Sequence, residues 1–319
     1  MTATRSRALL PLLAAAALVA PETGRAQQQG TDVQGVGVLP VQGGVTMLVV
    51  DGGNVAVQVG ADGVLLVDAR TEATAARLMN AVRTLSGRPV QTIVNTHADP
   101  EHTGGNEAVV KMRGEGAAQE VRVVAHSNVL RRLQAAGSVS GFRLNAAITV
   151  PINSTYDEPR RDFYLNGESI VLYHEPAAHS DGDTVVHFRR SDVLAVGDLF
   201  VPDRYPVIDI ESGGSIQGVV DALNHILQLT VPARFQEGGT YVIPGHGRLC
   251  DEADVVEVRN MATIVRDRVQ ALVDQGLSLE QVRAAAPTRD YDLEYGGGEG
   301  RAAGDRFVES IYRSLTGAN

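Results

Sequence analysis

The segment Asn95-Thr96-His97-Ala98-Asp99-Pro100-Glu101-His102-Thr103-Gly104-Gly105-Asn106 decides the reading of this chain. Within twelve residues it concentrates two histidines, one aspartate and one glutamate. An apolar β-branched run, Val90–Val94, precedes it, and a helix is predicted after it from about Gly105 to Met112. Such a loop leaves a buried strand and can aim several side chains at one point. Imidazole nitrogens and carboxylate oxygens are ligands for zinc, and also for iron and manganese. Gly104-Gly105 lets the backbone pass close to a site and begin the following helix.

Upstream of that loop, Thr46–Asp51, Asn54–Val59 and Gly63–Val67 read as antiparallel strands separated by turn residues. Residues 71–86 carry Ala75, Leu78, Met79, Val82 and Leu85 at helical spacing. Residues 27–35, rich in Gln and Gly, are expected to be disordered. Downstream, Glu120–Val124 reads as a strand and His126–Ala136 as a helix, with Gly137–Ala147 a poorly patterned stretch suited to a flexible lid. Ile170–Tyr173, Thr184–Phe188, Val193–Val196 and Tyr241–Ile243 are further strands. Gly214–Thr230 is an amphipathic helix, and Asp251–Val273, Ser278–Ala286 and Arg301–Leu315 close the chain as helices. Two strand-rich blocks interleaved with helices predict an α/β fold, two sheets packed face to face with helices outside, a four-layered αββα sandwich. No linker divides it, so residues 27–319 read as one domain with C-terminal helices from about residue 251.

At the His97–Asn106 loop the chain resembles the metallo-β-lactamase superfamily, whose signature is His-x-His-x-Asp-His before a glycine-rich helix start. Three later elements fit the same family in order: His179 in Pro176–Thr184, Asp198 in Ala195–Phe200 and His246 in Ile243–Gly247. The resemblance spans about residues 45–250. It implies a first metal position held by His97, Asp99 and His179, a second held by Glu101, His102 and His246, and Asp198 bridging the two. The sequence departs from the family pattern twice. Asp99 stands where the family has its second histidine, and Glu101 stands where it has aspartate. Both can still ligate, but the richer carboxylate set makes manganese or iron a competitor of zinc. Asp181 and Asp183, beside His179, suit either orientation of its ring or plain turn chemistry. His126, His174, His187 and His225 read as packed or surface residues, and Cys250 as buried and inert.

Composition removes other classes. The chain has 319 residues, with 28 basic against 38 acidic and a net charge of −10. No basic face of the kind that binds nucleic acid is present in this pattern. The lone cysteine excludes an internal disulfide. Arg5 and Arg7, an apolar stretch from Ala8 to Ala20 and the small residues around Gly24-Arg25-Ala26 form the layout of a secretory signal peptide over residues 1–26. That stretch is too short for a spanning helix, which needs about 20 residues. The expectation is a periplasmic or secreted protein with no stable membrane anchor after cleavage.

The family resemblance implies a hydrolase with two divalent ions, zinc first, in which a hydroxide formed from water near neutral pH attacks a small-molecule ester, thioester, lactone, β-lactam or related bond. Asp99 or Glu101 would accept or return the proton. A mononuclear iron oxygenase of the persulfide dioxygenase type and a metal-poor binding protein remain as alternatives, and a homo-oligomer remains open. The segment Phe200–Pro206 follows Asp198 and reads as the edge of a pocket, or more simply as a surface loop around Arg204 and Tyr205.

Overall fold

The computed structural model describes residues 30–113, 120–139, 152–236 and 238–317. The proposed signal peptide therefore lies outside the described residues. Of the expected lid, residues 137–139 belong to a helix and 140–147 lie outside the described residues.

Two sheets form the centre. The first has eight strands in sequential order: β1 (Thr31–Val33), β2 (Val36–Gln42), β3 (Val45–Val50), β4 (Gly53–Val59), β5 (Val64–Val67), β6 (Val90–Val94), β7 (Arg122–His126) and β8 (Ser154–Tyr156). Its first five strands are an antiparallel meander, and β5 to β8 run parallel. The second sheet has β9 (Arg160–Leu165), β10 (Glu168–Glu175), β11 (Asp183–Phe188), β12 (Val193–Gly197) and β13 (Tyr241–Pro244), in the order β13-β12-β11-β10-β9. Only its β12–β13 pair is parallel.

Strand alternation sorts the side chains into layers. Met47, Leu65 and Val94 point from the first sheet to Ile170, Leu172, Val186 and Phe188 of the second, and these residues form the core between the sheets. Their neighbours Leu48, Leu66 and Ile93 face outward and pack under Leu78, Met79 and Val82 of α1 (Ala75–Leu85). Two short helices follow β6, α2 (Pro100–Thr103) and α3 (Asn106–Lys111), and α4 (Ser127–Val139) follows β7. On the far side, Val185, Leu194 and Val242 pack against Val219, Leu223 and Ile226 of α5 (Ile216–Leu229) and Val258 and Val265 of α6 (Glu252–Asp274). The C-terminal elements α7 (Leu279–Ala284), α8 (Asp292–Tyr295) and α9 (Arg301–Thr316) join this last layer, where Val282, Tyr295 and Phe307 are buried. The four layers are those the sequence predicts.

One expectation is corrected, and one strand is added. Thr31–Val33 is not disordered but pairs with Val36–Val38 through a tight hairpin, whose turn residues Gln34 and Gly35 both have positive φ, 54° and 80°. That geometry matches the twist of the flanking strands. Arg160–Leu165, assigned to no element from sequence, is the edge strand of the second sheet, pairs with β10 and turns Phe163 and Leu165 towards the core. Charged residues on an exposed edge discourage pairing with another chain.

Candidate metal centre

The loops that leave β5, β6, β10, β12 and β13 meet at one rim of the sandwich, and they bring the sequence-predicted ligands together. His97, Asp99, His179 and Asp198 form one group of potential donor atoms, and Glu101, His102, Asp198 and His246 form another, with atoms within 4.8 Å of one another in each. Asp198 belongs to both. In the first group Asp99 Oδ2 lies 3.7 Å from His97 Nε2 and 3.6 Å from His179 Nε2. In the second, Glu101 Oε1 lies 3.5 Å from His246 Nε2. Asp198 spans them, with Oδ2 4.0 Å from His97 Nε2 and Oδ1 3.5 Å from His102 Nε2 and 3.8 Å from His246 Nε2.

The donor set fits divalent cations. Nε2 of His97, His102 and His179 and Oδ1 of Asp198 are buried and have no hydrogen-bond partner among the described residues. Such atoms are costly to leave unpaired, about 1–3 kcal/mol each, and here they converge on the two groups. The opposite ring nitrogens are all engaged. His102 Nδ1 is 2.8 Å from Asp68 Oδ2, His179 Nδ1 donates to the Val207 carbonyl at 2.9 Å, and His246 Nδ1 donates to the Gly52 carbonyl at 3.1 Å. The Thr96 hydroxyl donates to Asp68 Oδ2 at 2.8 Å and so accepts from His97 Nδ1 at 3.0 Å. Each ring is thereby held in the tautomer whose Nε2 lone pair faces the site.

Electrostatics follow the same layout. When protons rather than metal ions occupy Nε2 of His179 and His97, those rings hold the Asp99 carboxyl well below the usual carboxylate range. Burial would raise Asp198, but His102, His97, His246 and His179 outweigh it and keep that carboxyl low as well. Both groups are therefore available as anionic ligands.

Several supporting residues carry no signal in the sequence reading. Asp68 and Thr96 orient two histidines. Arg70 NH2 reaches Glu101 Oε2 at 3.4 Å. Of the two aspartates beside His179, Asp183 accepts from the Ser180 backbone N–H and hydroxyl, which staples the loop. Asp181 pairs with Arg132. Neither bonds the His179 ring, which Val207 orients instead. Cys250 is 3 % exposed, and its thiol donates to the Arg248 carbonyl. His126 stacks on His174 at 3.6 Å between ring centroids, away from the ligand groups.

The segment after Asp198 is not a free surface loop. Tyr205 is buried, its hydroxyl bonds Asp292, and its backbone N–H donates to the Tyr295 carbonyl. A cavity of about 630 Å³ lies between residues 203–208 and the C-terminal helices, with Val207, Tyr295, Ala303 and Phe307 in its lining. Val207 thus both lines the cavity and orients His179.

The sequence matches the Metallo-beta-lactamase superfamily profile over residues 48–246. No curated protein matches the chain in sequence. Among solved structures, the stereoselective inverting sec-alkylsulfatase Pisa1 from Pseudomonas sp. is similar with a TM-score of 0.67 and 16% identity, over 89% of this chain and 51% of that one. The chain therefore spans about half the length of the alkylsulfatase. The DIM-1 metallo-β-lactamase is similar with a TM-score of 0.55 and 16% identity, over 73% of this chain and 99% of that one. A metallo-β-lactamase from Pontibacter korlensis gives 0.51 and 18%, over 73% and 97%. At these identities the solved structures speak for the fold, a hydrolase-like one, and the profile speaks for the family. With its sandwich, its ordered ligand elements and a profile match over more than half its length, the chain belongs to the metallo-β-lactamase superfamily.

Proposed function

We propose that the chain is an exported metal-dependent hydrolase that takes two divalent ions, zinc first and manganese or iron as alternatives, and cleaves an ester-like bond in a small molecule. The observation that carries this reading is Asp198 shared between two donor groups into which four buried unpartnered atoms converge. His97, Asp99 and His179 would hold one ion, Glu101, His102 and His246 the other, and Asp198 both. Bound there, divalent cations lower the pKa of water to about 7 and neutralise charge developing on a reacting oxygen.

The chain's own residues supply the rest. Asp99 is ionised and its side chain is 42% exposed, so it presents a carboxylate to water at the site, but the imidazoles that lower its pKa also weaken it as a proton acceptor. Glu101 is less free for that role, because its Oε2 faces Arg70. The cavity beside Val207 holds no candidate ligand and meets His179 at Nδ1, so it would serve a substrate only as a remote rest for the part that does not react. Its size lies in the range of about 300–1,000 Å³ typical of small-molecule sites. Alkylsulfatase and β-lactamase neighbours make sulfate esters and β-lactams the first substrates to try, beside thioesters, lactones and phosphoesters. Export rests on the charged, apolar and small-residue order of residues 1–26, and no helix among the described residues is long and apolar enough to cross a membrane.

Metal analysis of protein purified without chelator, followed by turnover of those five substrate classes with and without chelator, tests the reading. Two equivalents and chelator-sensitive hydrolysis are expected. One equivalent of iron with oxygen consumption would replace it by the oxygenase, and no metal would replace it by a binding protein.

A further inference from the structure

Arg70 is 4% exposed, and the one carboxylate within ion-pair distance of it among the described residues is Glu101, at 3.4 Å from NH2 to Oε2, while Asp51 feels its charge from farther away. Its Nε and NH1 are buried without a partner. The other oxygen of the same carboxylate, Oε1, lies 3.5 Å from His246 Nε2 and belongs to the second donor group. One carboxylate therefore has one oxygen on a buried guanidinium and the other among the candidate ligands. The Glu101 side chain is 43% exposed, and Arg70 is the cation that engages the oxygen not facing His246.

Arg70 is itself seated firmly. It follows the end of β5 with a positive φ of 57°, and its carbonyl accepts from the Gly105 N–H at 2.7 Å. The neighbouring Ala69 N–H donates to the His102 carbonyl at 2.9 Å. The guanidinium lies over Gly53, where an added Cβ would stand 1.8 Å from NH1. Gly53 is in turn bridged to His246 through the backbone. Arg70 is thus tied to two of the three loops that supply the second group, those of Glu101–His102 and of His246.

A glutamate has one more rotatable bond than an aspartate, so fixing it in one conformation costs more rotamer freedom. The family pattern has the shorter residue at position 101. We propose that Arg70 is a positioning residue, which holds Glu101 in the conformation that ligates the second ion and thereby lets glutamate serve where the family has aspartate. This rests on the two-ion reading above.

The test is calorimetric titration of metal-free protein with Mn²⁺ and, separately, Zn²⁺, with folding checked by circular dichroism. Wild type is expected to show two binding events. Arg70→Met should weaken the second at least about tenfold, as removal of an outer-shell partner does, and leave the first within about twofold. Arg70→Lys, which keeps the charge, should recover part of the loss. Gly53→Ala displaces the guanidinium by sterics alone and should reproduce the same selective loss, which covers the case in which Arg70→Met fails to fold. In a Glu101→Ala background, Arg70→Met should add less than about twofold, because Arg70 acts only through Glu101. Unchanged second-site affinity in Arg70→Met, or an undiminished effect without Glu101, overturns the inference alone. A wild type that binds one equivalent, indifferent to Glu101→Ala, overturns both it and the two-ion reading.

Discussion

Asp68 Oδ2 and His102 Nδ1 lie 2.8 Å apart, both side chains nearly inaccessible to water. The same carboxylate accepts from the Thr96 backbone N–H and hydroxyl, each at 2.8 Å, so one buried aspartate fixes the loop that carries His97 and the ring of His102 together. Burial opposes a charge on His102, yet Asp68 and Asp198 raise its pKa overall. Asp68→Asn keeps the shape and tolerates the positive φ of 67° at this position. It should weaken metal binding by about 10–100-fold without unfolding the protein. Equilibrium dialysis against zinc measures this, and wild-type affinity in the asparagine variant would show that Asp68 does not support the site.

The cavity at Val207 yields a kinetic prediction. Ala303 of α9 contributes to its lining together with residues 203–208. Ala303→Trp would fill part of the volume without touching a candidate ligand. For whichever ester class the enzyme turns over, KM should rise about tenfold or more, a loss near 1.4 kcal/mol, while metal content stays at the wild-type level. Unchanged KM would place the substrate's non-reacting part elsewhere.

Much of this arrangement was legible in the sequence, for definite reasons. The ligands on His97–His102 crowd one loop, and His179, Asp198 and His246 each sit at a strand end, so order alone places them. Apolar runs such as Val64–Val67 declare strands covered on both faces. Asp68 and Arg70 were not legible. They act across about thirty residues of sequence, through a kink at which both have positive φ, and no spacing rule connects them to His102 and Glu101. The edge strands Thr31–Val33 and Arg160–Leu165 escaped for another reason. Each takes its ladder from one neighbour, and its apolar residues, Val33 in the first and Phe163 and Leu165 in the second, are too few among charged and polar ones to mark a strand. Tyr205 likewise looked like a surface residue because its cover, α8 and α9, arrives some ninety residues later.

His187 lies on β11, 3% exposed, with Nδ1 unpartnered. Burial, helped by Arg189, pushes its pKa down from 6.5 to about 4. Between those values the unfolded chain binds more protons than the folded one, so stability falls as pH drops from about 6.5 towards 4 and is level above about 7. Its share is up to about 3 kcal/mol. Urea unfolding of metal-free protein between pH 4.5 and 7.5 should show a shallower pH dependence in His187→Gln than in wild type. Parallel curves would assign the acid sensitivity to other groups.

Asp99 is the residue at which this chain departs most from its family, and its position gives the sharpest test. Its Oδ2 stands between His97 Nε2 and His179 Nε2, at 3.7 and 3.6 Å, which places an anion where the family has an imidazole. An anionic ligand offsets part of the cation's charge, so water there should be less acidified than beside three histidines, and oxygen-preferring ions should gain on zinc. Asp99→His should therefore raise zinc affinity relative to manganese and move the acidic limb of the rate profile to lower pH. That outcome alone does not establish the native role, because a new histidine would bind zinc even if Asp99 pointed to water. Asp99→Ala separates the cases. If the carboxylate is a ligand, the first ion should bind at least about tenfold more weakly, the loss that removal of even an outer-shell partner gives. The second ion, held by Glu101, His102 and His246, should be affected much less. Titration of the metal-free alanine variant measures both, and unchanged affinity together with an unchanged rate would remove Asp99 from the ligand set.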